Sequence, residues 1–527
     1  MSTQTENNAS SPLIPKKDEQ RSQNEATPVL IASVVQGSKP IQTETQNEYR
    51  FVHTRLPIKP GNLKFLLPIL LLSCQIIFII LFALFGNYTE KSDNSKYSMF
   101  EGLHAIALLG FGFIMTFLKR YGYGSVGFNL LLVAFVIQWS LLIRGWFYPE
   151  DKSLNFKISL DSLIHADYTV ITILVSMGAV LGKVTLAQLV VLALIEVVVQ
   201  VVNEFVNLRV LETYDIGRSV HVHLFGALFG LAVSKFLHCK ILKSQKQAPV
   251  YHSDLFSLVG TLFLWVYYPS FNGLLVNGND GQNRAIVNTL AALSASCVVT
   301  FGISSIAGKG KLNVLHVQHA TIAGGIAIGS VADLKVQVYV ALIVGAIAGL
   351  TSTVGFQYID PFLTRVAKLH DTCSVQSLHG YPGLIAGLLG AIFAACSTFE
   401  EYKHELYTIY PARVPIVNST DYVENNIQIQ NGRGRSNFEQ AGFQLIAMAI
   451  TLGISVVSGA ITGLILRLPI FEKLSQDGEM FDDEAQWVTP EDYALKLTFA
   501  TNNQVLSQQL DEKKQDETGA NKDDDKV

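Results

Sequence analysis

The sequence predicts an all-α membrane protein that crosses the bilayer about twelve times. The first observation is composition: 49% of the residues are hydrophobic, only 16% are charged, and the mean hydropathy is +0.32. The second is length, because a hydrocarbon core of ~30 Å takes about 20 helical residues to cross. Apolar stretches of this length recur from residue 63 to residue 468, and the charges lie at the chain ends and between these stretches. Such a chain belongs in a membrane.

The predicted membrane segments follow one another with short connections. The first follows a polar stretch and has neither an early basic region nor a small-residue cleavage site, so we expect a retained anchor with a cytoplasmic N-terminus. The segments are 63–86, 100–119, 125–147, 161–182, 185–205, 219–239, 254–276, 284–307, 313–331, 336–356, 376–396 and 440–468.

Two polar tails flank the predicted transmembrane domain, which covers residues 61–470. Residues 1–60 are rich in Ser, Thr, Asn and Gln, and residues 471–527 end in "DEKKQDETGANKDDDKV". Both tails are predicted to be cytoplasmic and largely disordered. The acidic end is either a solvated terminus or a regulatory tail, and both interpretations stay open. A net charge of -4, spread over tails and loops, indicates no nucleic-acid partner.

Loop charges predict the orientation of the chain. With the N-terminus inside, Lys and Arg collect in the inner loops, such as Lys119, Lys183 and Lys309. Two glycosylation sequons, "NYT" at Asn87 and "NST" at Asn418, both fall in loops placed outside, where a glycan acceptor must lie. The sequons therefore agree with the charge pattern.

Enzyme, metal and cofactor motifs are not found in the sequence. The five cysteines form no C-x-x-C pair and lie in or beside membrane segments, as buried apolar residues do. The "GYGSVG" of residues 122–127 joins two membrane helices and does not follow a strand, which argues against a dinucleotide site. No H-E-x-x-H, G-x-S-x-G or Walker motif occurs. We expect neither an enzyme nor a bound metal or cofactor.

Two distant stretches share one pattern. "DIGRSVHVHLFGALFG" places Asp215 eight residues before His223, and "DTCSVQSLHGYPGLIAG" places Asp371 eight residues before His379. Eight residues at 1.5 Å of rise span ~12 Å, which puts each histidine about half-way through the bilayer. Five helices separate the two stretches, and this odd number makes them enter from opposite faces. The pattern predicts an inverted repeat, residues 100–239 and 254–396, with the histidines meeting near the midplane.

The sequence indicates a role for the two histidines more clearly than for the two aspartates. Ionisable side chains inside a membrane are functional by default, and the paired arrangement favours function over a simple core role for His223 and His379. Asp215 and Asp371 each precede a helix, so they either cap it or attract cations electrostatically, and both roles stay open. Both stretches also carry glycines four residues apart, which permit close approach of helices.

The chain resembles the Rhesus (Rh) glycoprotein branch of the ammonium transporter family over about residues 63–490. The motifs that carry this resemblance are "GFGFIMTFLKRYGYGSVGFN", "GAVLGKVTLAQL", "SDLFSLVGTLFLWVYYPSFN", "DTCSVQSLHGYPG" and "GLILRLP" followed by "EAQWVTPE". The resemblance implies the ammonium-transporter fold, with an extra first helix (63–86) and a last helix (440–468) flanking the repeats. It also implies a homotrimer with one pore through each subunit.

By this resemblance, His223 and His379 match the family's paired pore histidines, and Asp215 and Asp371 match its paired aspartates. Phe271 matches one ring of the aromatic gate at the outer mouth, and Tyr168 stands where relatives usually have phenylalanine. Its phenol is either a polar handle for the entering species or an aromatic filler.

Two further polar positions are weaker candidates. Glu204 is a candidate for attracting cations at the vestibule, beside Asp215. His319 stands where the family usually has asparagine, and it lies one helical turn from His316, so a pH-sensitive or metal-binding pair is conceivable.

The resemblance and the cost of burying charge together predict an ammonia channel. Moving ammonium into an apolar medium costs on the order of tens of kcal/mol, whereas neutral ammonia loses only hydrogen bonds. We expect conduction of ammonia, with methylamine and carbon dioxide as further candidates. An electrogenic ammonium carrier and a non-conducting sensor or scaffold are the alternatives. The plasma membrane is the default location, and an endosomal or vacuolar membrane stays open.

Overall fold

The computed structural model describes residues 66–90, 94–149, 154–237, 245–416, 432–471, 473–474 and 479–490. The predicted N-terminal tail, the sequon at Asn418, Cys239 and the chain after residue 490 lie outside these ranges.

Twelve helical segments follow the predicted order of membrane crossings. Ten of them, within the described ranges, are long and apolar enough to cross a membrane. The seventh is equally long but more polar, and the ninth is shorter. The chain is thus a multi-pass integral membrane protein. The segments are α1 Leu66–Phe85, α2 Tyr97–Phe117, α3 Gly122–Phe147, α4 Leu160–Val180, α5 Leu186–Val210, α6 Ser219–Leu237, α7 Tyr251–Gly273, α8 Asn279–Ala307, α9 Val314–Gly329, α10 Val338–Val366, α11 Gln376–Cys396 and α12 Asn437–Ile465.

Local sequence signals set several helix starts. Ser159, Thr185 and Ser436 each accept a hydrogen bond from the backbone N–H three residues on, and the side chain there bonds back to the cap. These capping boxes satisfy backbone donors that a helix start leaves free. In α9 the helix is interrupted after Ala320 and resumes at Ala323, so this crossing consists of two short helices.

A short two-stranded ribbon was not predicted. β1 (Gly86–Tyr88) pairs in parallel with β2 (Phe156–Ile158), with Asn87 opposite Lys157. The ribbon joins the end of α1 to the segment before α4. Asn87 is exposed on it, so its side chain is sterically accessible.

Small residues let the membrane helices approach closely. A Cβ at Gly226 would lie 2.7 Å from the backbone oxygen of Thr172, which shows that this glycine packs α6 against α4. A Cβ at Gly383 would lie 2.9 Å from Cβ of Leu224, so this glycine brings α11 against α6. The glycines of α6 therefore serve a different contact from those of α11. At the edge of this bundle, α1 fully buries only Phe78 and leaves one apolar side, which includes Ile69, Leu72 and Ile76, exposed for lipid.

The inner face, defined here by the turns at 118–121, 181–185 and 367–375, holds part of the C-terminal segment. Asp483 accepts the N–H groups of Tyr123 and Gly124 at 2.8 and 2.7 Å, at the start of α3. Trp487 stacks on Phe128 with ring centroids 5.4 Å apart. Within the tail that the sequence predicts to be largely disordered, residues 479–490 are ordered, because these hydrogen bonds and the aromatic packing fix them to the membrane domain.

Candidate pore

The two histidine-bearing helices begin in the same unusual way. His223 lies in a π-helical turn, Ser219–Leu224, at the start of α6. His379 lies in a π-helical turn, Gln376–Gly380, at the start of α11. Such single wide turns inside α-helices are frequent at functional sites because they re-aim side chains. The two halves of the inverted repeat therefore share a π-helical turn at the histidine as well as the spacing of Asp and His in the sequence.

Asp215 caps α6 with nearly all of its hydrogen-bonding capacity. Its carboxylate accepts backbone N–H groups of Ser219 and Val220, both at 3.0 Å, and of His221 at 3.1 Å. The Ser330 hydroxyl and His221 Nδ1 each lie 2.6 Å away. Burial alone would raise the pKa of Asp215, but these hydrogen bonds, with that of His221 foremost, hold it below its ordinary value.

Asp371 caps α11 more sparsely. It accepts the N–H of Gln376 at 2.9 Å, and its other oxygen has no hydrogen-bond partner among the described residues. Burial raises the pKa of Asp371 above its ordinary value, and the backbone N–H groups that it faces only partly offset this. The two aspartates match in sequence position but differ electrostatically.

The two histidines lie in contact at the centre of the bundle. Nδ1 of His223 is 3.1 Å from Nδ1 of His379, and the rings stack with centroids 5.1 Å apart and 7° between their planes. Both side chains are buried. The hydroxyl of Tyr268 lies 3.1 Å from Nε2 of His223, and Phe111 stacks on His379 on the other side.

These distances restrict which nitrogens carry protons. A neutral imidazole has one donor and one acceptor nitrogen. If Tyr268 donates to Nε2 of His223, then Nδ1 of His223 donates to His379, and Nε2 of His379 is left as a donor. If every bond reverses, Nε2 of His379 becomes an acceptor. The hydrogen-bonded chain therefore has two orientations, and each leaves one imidazole nitrogen of His379 for a small molecule.

A cavity of about 500 Å³ follows the histidine pair through the bundle. It is lined by α2, α4, α6, α7, α9 and α11, largely with apolar side chains such as Ile106, Leu174 and Leu378. Its polar lining groups are few: His223, His379, His319 and Tyr268. An apolar passage with a short row of neutral polar groups admits a small neutral molecule more easily than an ion.

Tyr168 and Phe271 lie together on the outer side of the histidine pair. Their ring centroids are 4.9 Å apart in an edge-to-face arrangement, and both residues are buried. Phe271 in turn lies 5.1 Å from the ring of His223. The Tyr168 hydroxyl donates to the backbone oxygen of Phe271 at 2.5 Å, so its proton is not free to bond an entering molecule. The geometry favours the filler interpretation of this tyrosine.

Comparison with known sequences decides the family. The sequence profile described as Ammonium Transporter Family matches residues 68–489, which is most of the chain. The chain belongs to this family. It is 40% identical over 462 residues to the ammonium transporter Rh type C of Xenopus tropicalis, covering 83% of this chain and 95% of that protein. The human Rh type C protein is 40% identical over 453 residues, 82% and 91% of the two chains.

Solved structures of other family members agree with the fold. The Nitrosomonas europaea Rh50 channel aligns with a TM-score of 0.62 at 28% identity, covering 78% of this chain and 98% of that one. Mep2 of Saccharomyces cerevisiae aligns with a TM-score of 0.56 at 18% identity, covering 77% and 94%. The second likeness shows the fold alone. Together they support the ammonium-transporter fold with its inverted five-helix repeat.

Glu204 of this family member is not the free vestibule carboxylate that the sequence suggested. Its two oxygens receive both terminal nitrogens of Arg144, at 2.9 and 2.8 Å, and Arg218 lies 3.3 Å away. Gln200 donates a further hydrogen bond at 3.2 Å. The carboxylate is buried and neutralised by two guanidinium groups, so it has no capacity left to attract a cation.

His316 and His319 share a helix face but do not form a pair. His316 Nδ1 lies 3.0 Å from the Ser304 hydroxyl, and His319 Nδ1 lies 3.0 Å from the backbone oxygen of Leu315. Because a carbonyl oxygen only accepts, His319 Nδ1 carries the proton. His319 lines the pore inward of the other two histidines. In the part of the chain that the structure describes, no group of three His, Cys, Asp or Glu is placed to hold a metal.

Two features of the site were missed from the sequence. Tyr268, inside the quoted "WVYYPSFN", lies three residues from Phe271, so it lies on the same helix face, and that spacing was the available signal. The second is a buried ammonium, Lys183, which donates to Ala179, Ser234 and His370 at the inner face. A lysine in a predicted inner loop gave no sign of burial, because loop charges are normally solvated.

Proposed function

We propose that this protein is a Rh-type ammonia channel that conducts neutral ammonia past the His223–His379 pair. The observation that carries the proposal is the contact of two buried neutral imidazoles inside an otherwise apolar passage. The family assignment and the transporter names of the relatives support a transport function. No catalytic chemistry is proposed.

Selection follows from the energetics of the passage. Ammonium that enters this passage without its water would lose on the order of tens of kcal/mol of hydration free energy. Neutral ammonia loses only a few hydrogen bonds to water. We propose that ammonium arrives at the outer mouth and gives up its proton to the bulk water there, before Tyr168 and Phe271. Ammonia then crosses beside the histidines. Glu204 takes no part in this step, because Arg144 and Arg218 already neutralise it.

The aspartates act on this path through the helices that they cap. Asp215 and Asp371 fix the π-turns that hold the two imidazoles, and their charges favour cations at the two mouths. The histidine pair titrates as a unit, because protonating one ring disfavours charge on the other. Acid conditions sufficient to charge one ring therefore reduce conduction.

One observation favours a second candidate, an electrogenic ammonium carrier. The chain from Tyr268 through His223 to His379 is a continuous hydrogen-bonded path along which a proton could move in parallel with ammonia. Net charge would then cross with each molecule. A non-conducting ammonium sensor or scaffold is the further alternative. The cavity along the histidine pair gives this alternative no specific support.

The assembly and location are also proposals. We propose a homotrimer in the plasma membrane, with both termini cytoplasmic and residues 1–60 as a cytoplasmic tail. Asn87 would then carry a glycan on the outer ribbon, and Asn418 a second one. Methylamine and carbon dioxide are the further substrates to test.

The proposed function is tested by reconstituting the full chain in liposomes and following internal pH after an ammonia gradient is imposed. We expect fast alkalinisation, reduced at least several-fold by His379→Ala. His404→Ala, a change of an exposed outer-face histidine, is the matched control and should leave the rate unchanged. Equal rates in vesicles with and without protein would contradict the proposal.

A further inference from the structure

A second cavity lies behind α6, on the side away from the pore. It measures about 250 Å³, part of it open to solvent, and lies between α6, α11, α12 and the turn after α9. It shares no lining residue with the pore cavity. Its lining includes Asp215, His221, Ser330, Gly387, Gln444 and Met448. His221 and His223, two residues apart, therefore line different cavities.

His221 presents an unsatisfied nitrogen in this second cavity. Its side chain is buried, with a relative exposure of 2%. Nδ1 lies 2.6 Å from Asp215, whose carboxylate accepts several N–H groups, so Nδ1 carries the proton and donates. Nε2 of the neutral ring is then an acceptor, and it has no hydrogen-bond partner within the described part of the chain. Buried polar atoms normally have a hydrogen-bond partner, so we expect a bound molecule to donate to Nε2.

The neighbouring polar groups make hydrogen bonds elsewhere, and within the described part of the chain none of them bonds His221 Nε2. Gln444 is bonded at both ends to the backbone of Tyr214, at 2.8 and 2.7 Å. The Ser330 hydroxyl donates to Asp215 at 2.6 Å. Arg218, whose charge acts on the capping carboxylate, is paired with Glu204. The space therefore holds one acceptor nitrogen backed by a carboxylate, and its lining also includes Thr213, Tyr214 and Met448.

We infer that this cavity binds one small N–H or O–H donor at His221 Nε2, either an ammonium ion or a water molecule. The carboxylate behind the imidazole favours the cation, because a ring that donates to a carboxylate is a stronger acceptor at its other nitrogen. The ammonium case deepens the proposed function and rests on it, since it adds a binding site beside the outer end of the pore. The water case does not depend on conduction.

The test is solid-state NMR of the full-length protein, labelled with ¹⁵N-histidine and reconstituted in lipid. The His221 signals are assigned as those that vanish in His221→Asn, whose amide reaches Asp215 as Nδ1 does. His221→Gln provides a second, independent assignment if the first variant does not fold. Ammonium chloride is then titrated against an equal concentration of sodium chloride.

Three outcomes decide the inference. A shift of the unprotonated Nε2 signal with ammonium chloride but not with sodium chloride supports ammonium as the occupant. An unprotonated Nε2 signal with the shift of a hydrogen-bonded nitrogen, indifferent to ammonium, supports water. A protonated Nε2, or an unprotonated one without a hydrogen bond, overturns the inference. The NMR result is independent of transport, so failure of the channel proposal would show separately, as vesicles that do not alkalinise.

Discussion

The hydroxyl of Tyr268 lies 3.1 Å from Nε2 of His223, which makes this tyrosine the end of a hydrogen-bonded chain that runs through both pore histidines. Neutral ammonia needs the imidazoles as hydrogen-bonding partners, whereas a relayed proton also needs an unbroken chain. Tyr268 is therefore the position at which the two candidate modes of transport separate.

Tyr268→Phe tests this distinction. For a neutral ammonia channel we expect alkalinisation to slow by no more than about fivefold, because the loss of one neutral hydrogen bond is worth about 1 kcal/mol and the passage stays apolar. The check is internal pH in proteoliposomes together with current on a solid-supported membrane. Tyr123→Phe, at an exposed tyrosine on the inner face, is the control. A wild-type current that disappears in the variant would favour the electrogenic carrier.

The inner face contains a pH-dependent element. Lys183 Nζ lies 3.2 Å from His370 Nδ1, and Gln247 Oε1 lies 3.2 Å from His370 Nε2. Burial, together with the neighbouring ammonium of Lys183, lowers the pKa of His370 to about 3. In the unfolded chain this pKa is about 6.5. The unfolded state therefore binds more protons between these values, and His370 destabilises the fold as pH falls from about 6.5 towards 3.

His370→Asn should remove this component of the pH dependence, since asparagine still offers an oxygen to Lys183. The measurement is the thermal unfolding midpoint in detergent across this pH range. As the pH falls below about 6.5, we expect the unfolding midpoint of the wild type to fall more than that of the variant. Above this pH, the midpoints of the two proteins should change in parallel. His252→Asn, at an exposed position, is the matched control. Identical slopes for the wild type and His370→Asn would show that this histidine does not carry the effect.

Glu204 is predicted to matter for stability and not for attracting substrate. Glu204→Gln would leave the buried guanidinium of Arg144 without its bidentate partner, and breaking a buried ion pair costs about 3–5 kcal/mol. We expect a clear drop in the unfolding midpoint, while the folded fraction keeps its half-saturating ammonium concentration. Glu400→Gln, an exposed carboxylate on the outer side, should leave the midpoint unchanged. A normal midpoint with weakened ammonium dependence would restore the vestibule role.

The Tyr168 hydroxyl is expected to brace the gate. Tyr168→Phe removes the hydrogen bond to the backbone oxygen of Phe271 but keeps the edge-to-face ring contact, so we expect a loss of about 1 kcal/mol in stability. Ammonia conduction should stay within about twofold of the wild type, because the phenol proton is not offered to the pore. The unfolding midpoint and the alkalinisation rate measure the two effects. A large loss of conduction at full stability would show that the phenol contacts the substrate.

Sequence patterns predicted most of this architecture because membrane crossings need long apolar stretches. The order of the twelve segments followed from hydropathy, and the shared spacing of Asp215–His223 and Asp371–His379 pointed to the helix starts that form the pore. Hydropathy does not encode side-chain pairing, which is why the neutralised state of Glu204 and the burial of Lys183 were missed. Glu204 pairs with Arg144, 60 residues away in the sequence, and Lys183 donates to His370, 187 residues away.

The C-terminal segment shows a second limit. Residues 479–490 lack a membrane-like or helical period, so composition alone placed them with the tail. Their order comes from tertiary contacts, the hydrogen bonds of Asp483 at the start of α3 and the stacking of Trp487 on Phe128. The family motif "EAQWVTPE" was the one sequence feature that set this segment apart.

Simultaneous recording of alkalinisation and current from wild-type proteoliposomes under an inward ammonia gradient tests the central claim most directly. A channel that passes neutral ammonia beside His223 and His379 predicts rapid alkalinisation with no current above that of protein-free vesicles. A current that grows in proportion to the ammonium concentration would contradict this account and establish charge transport.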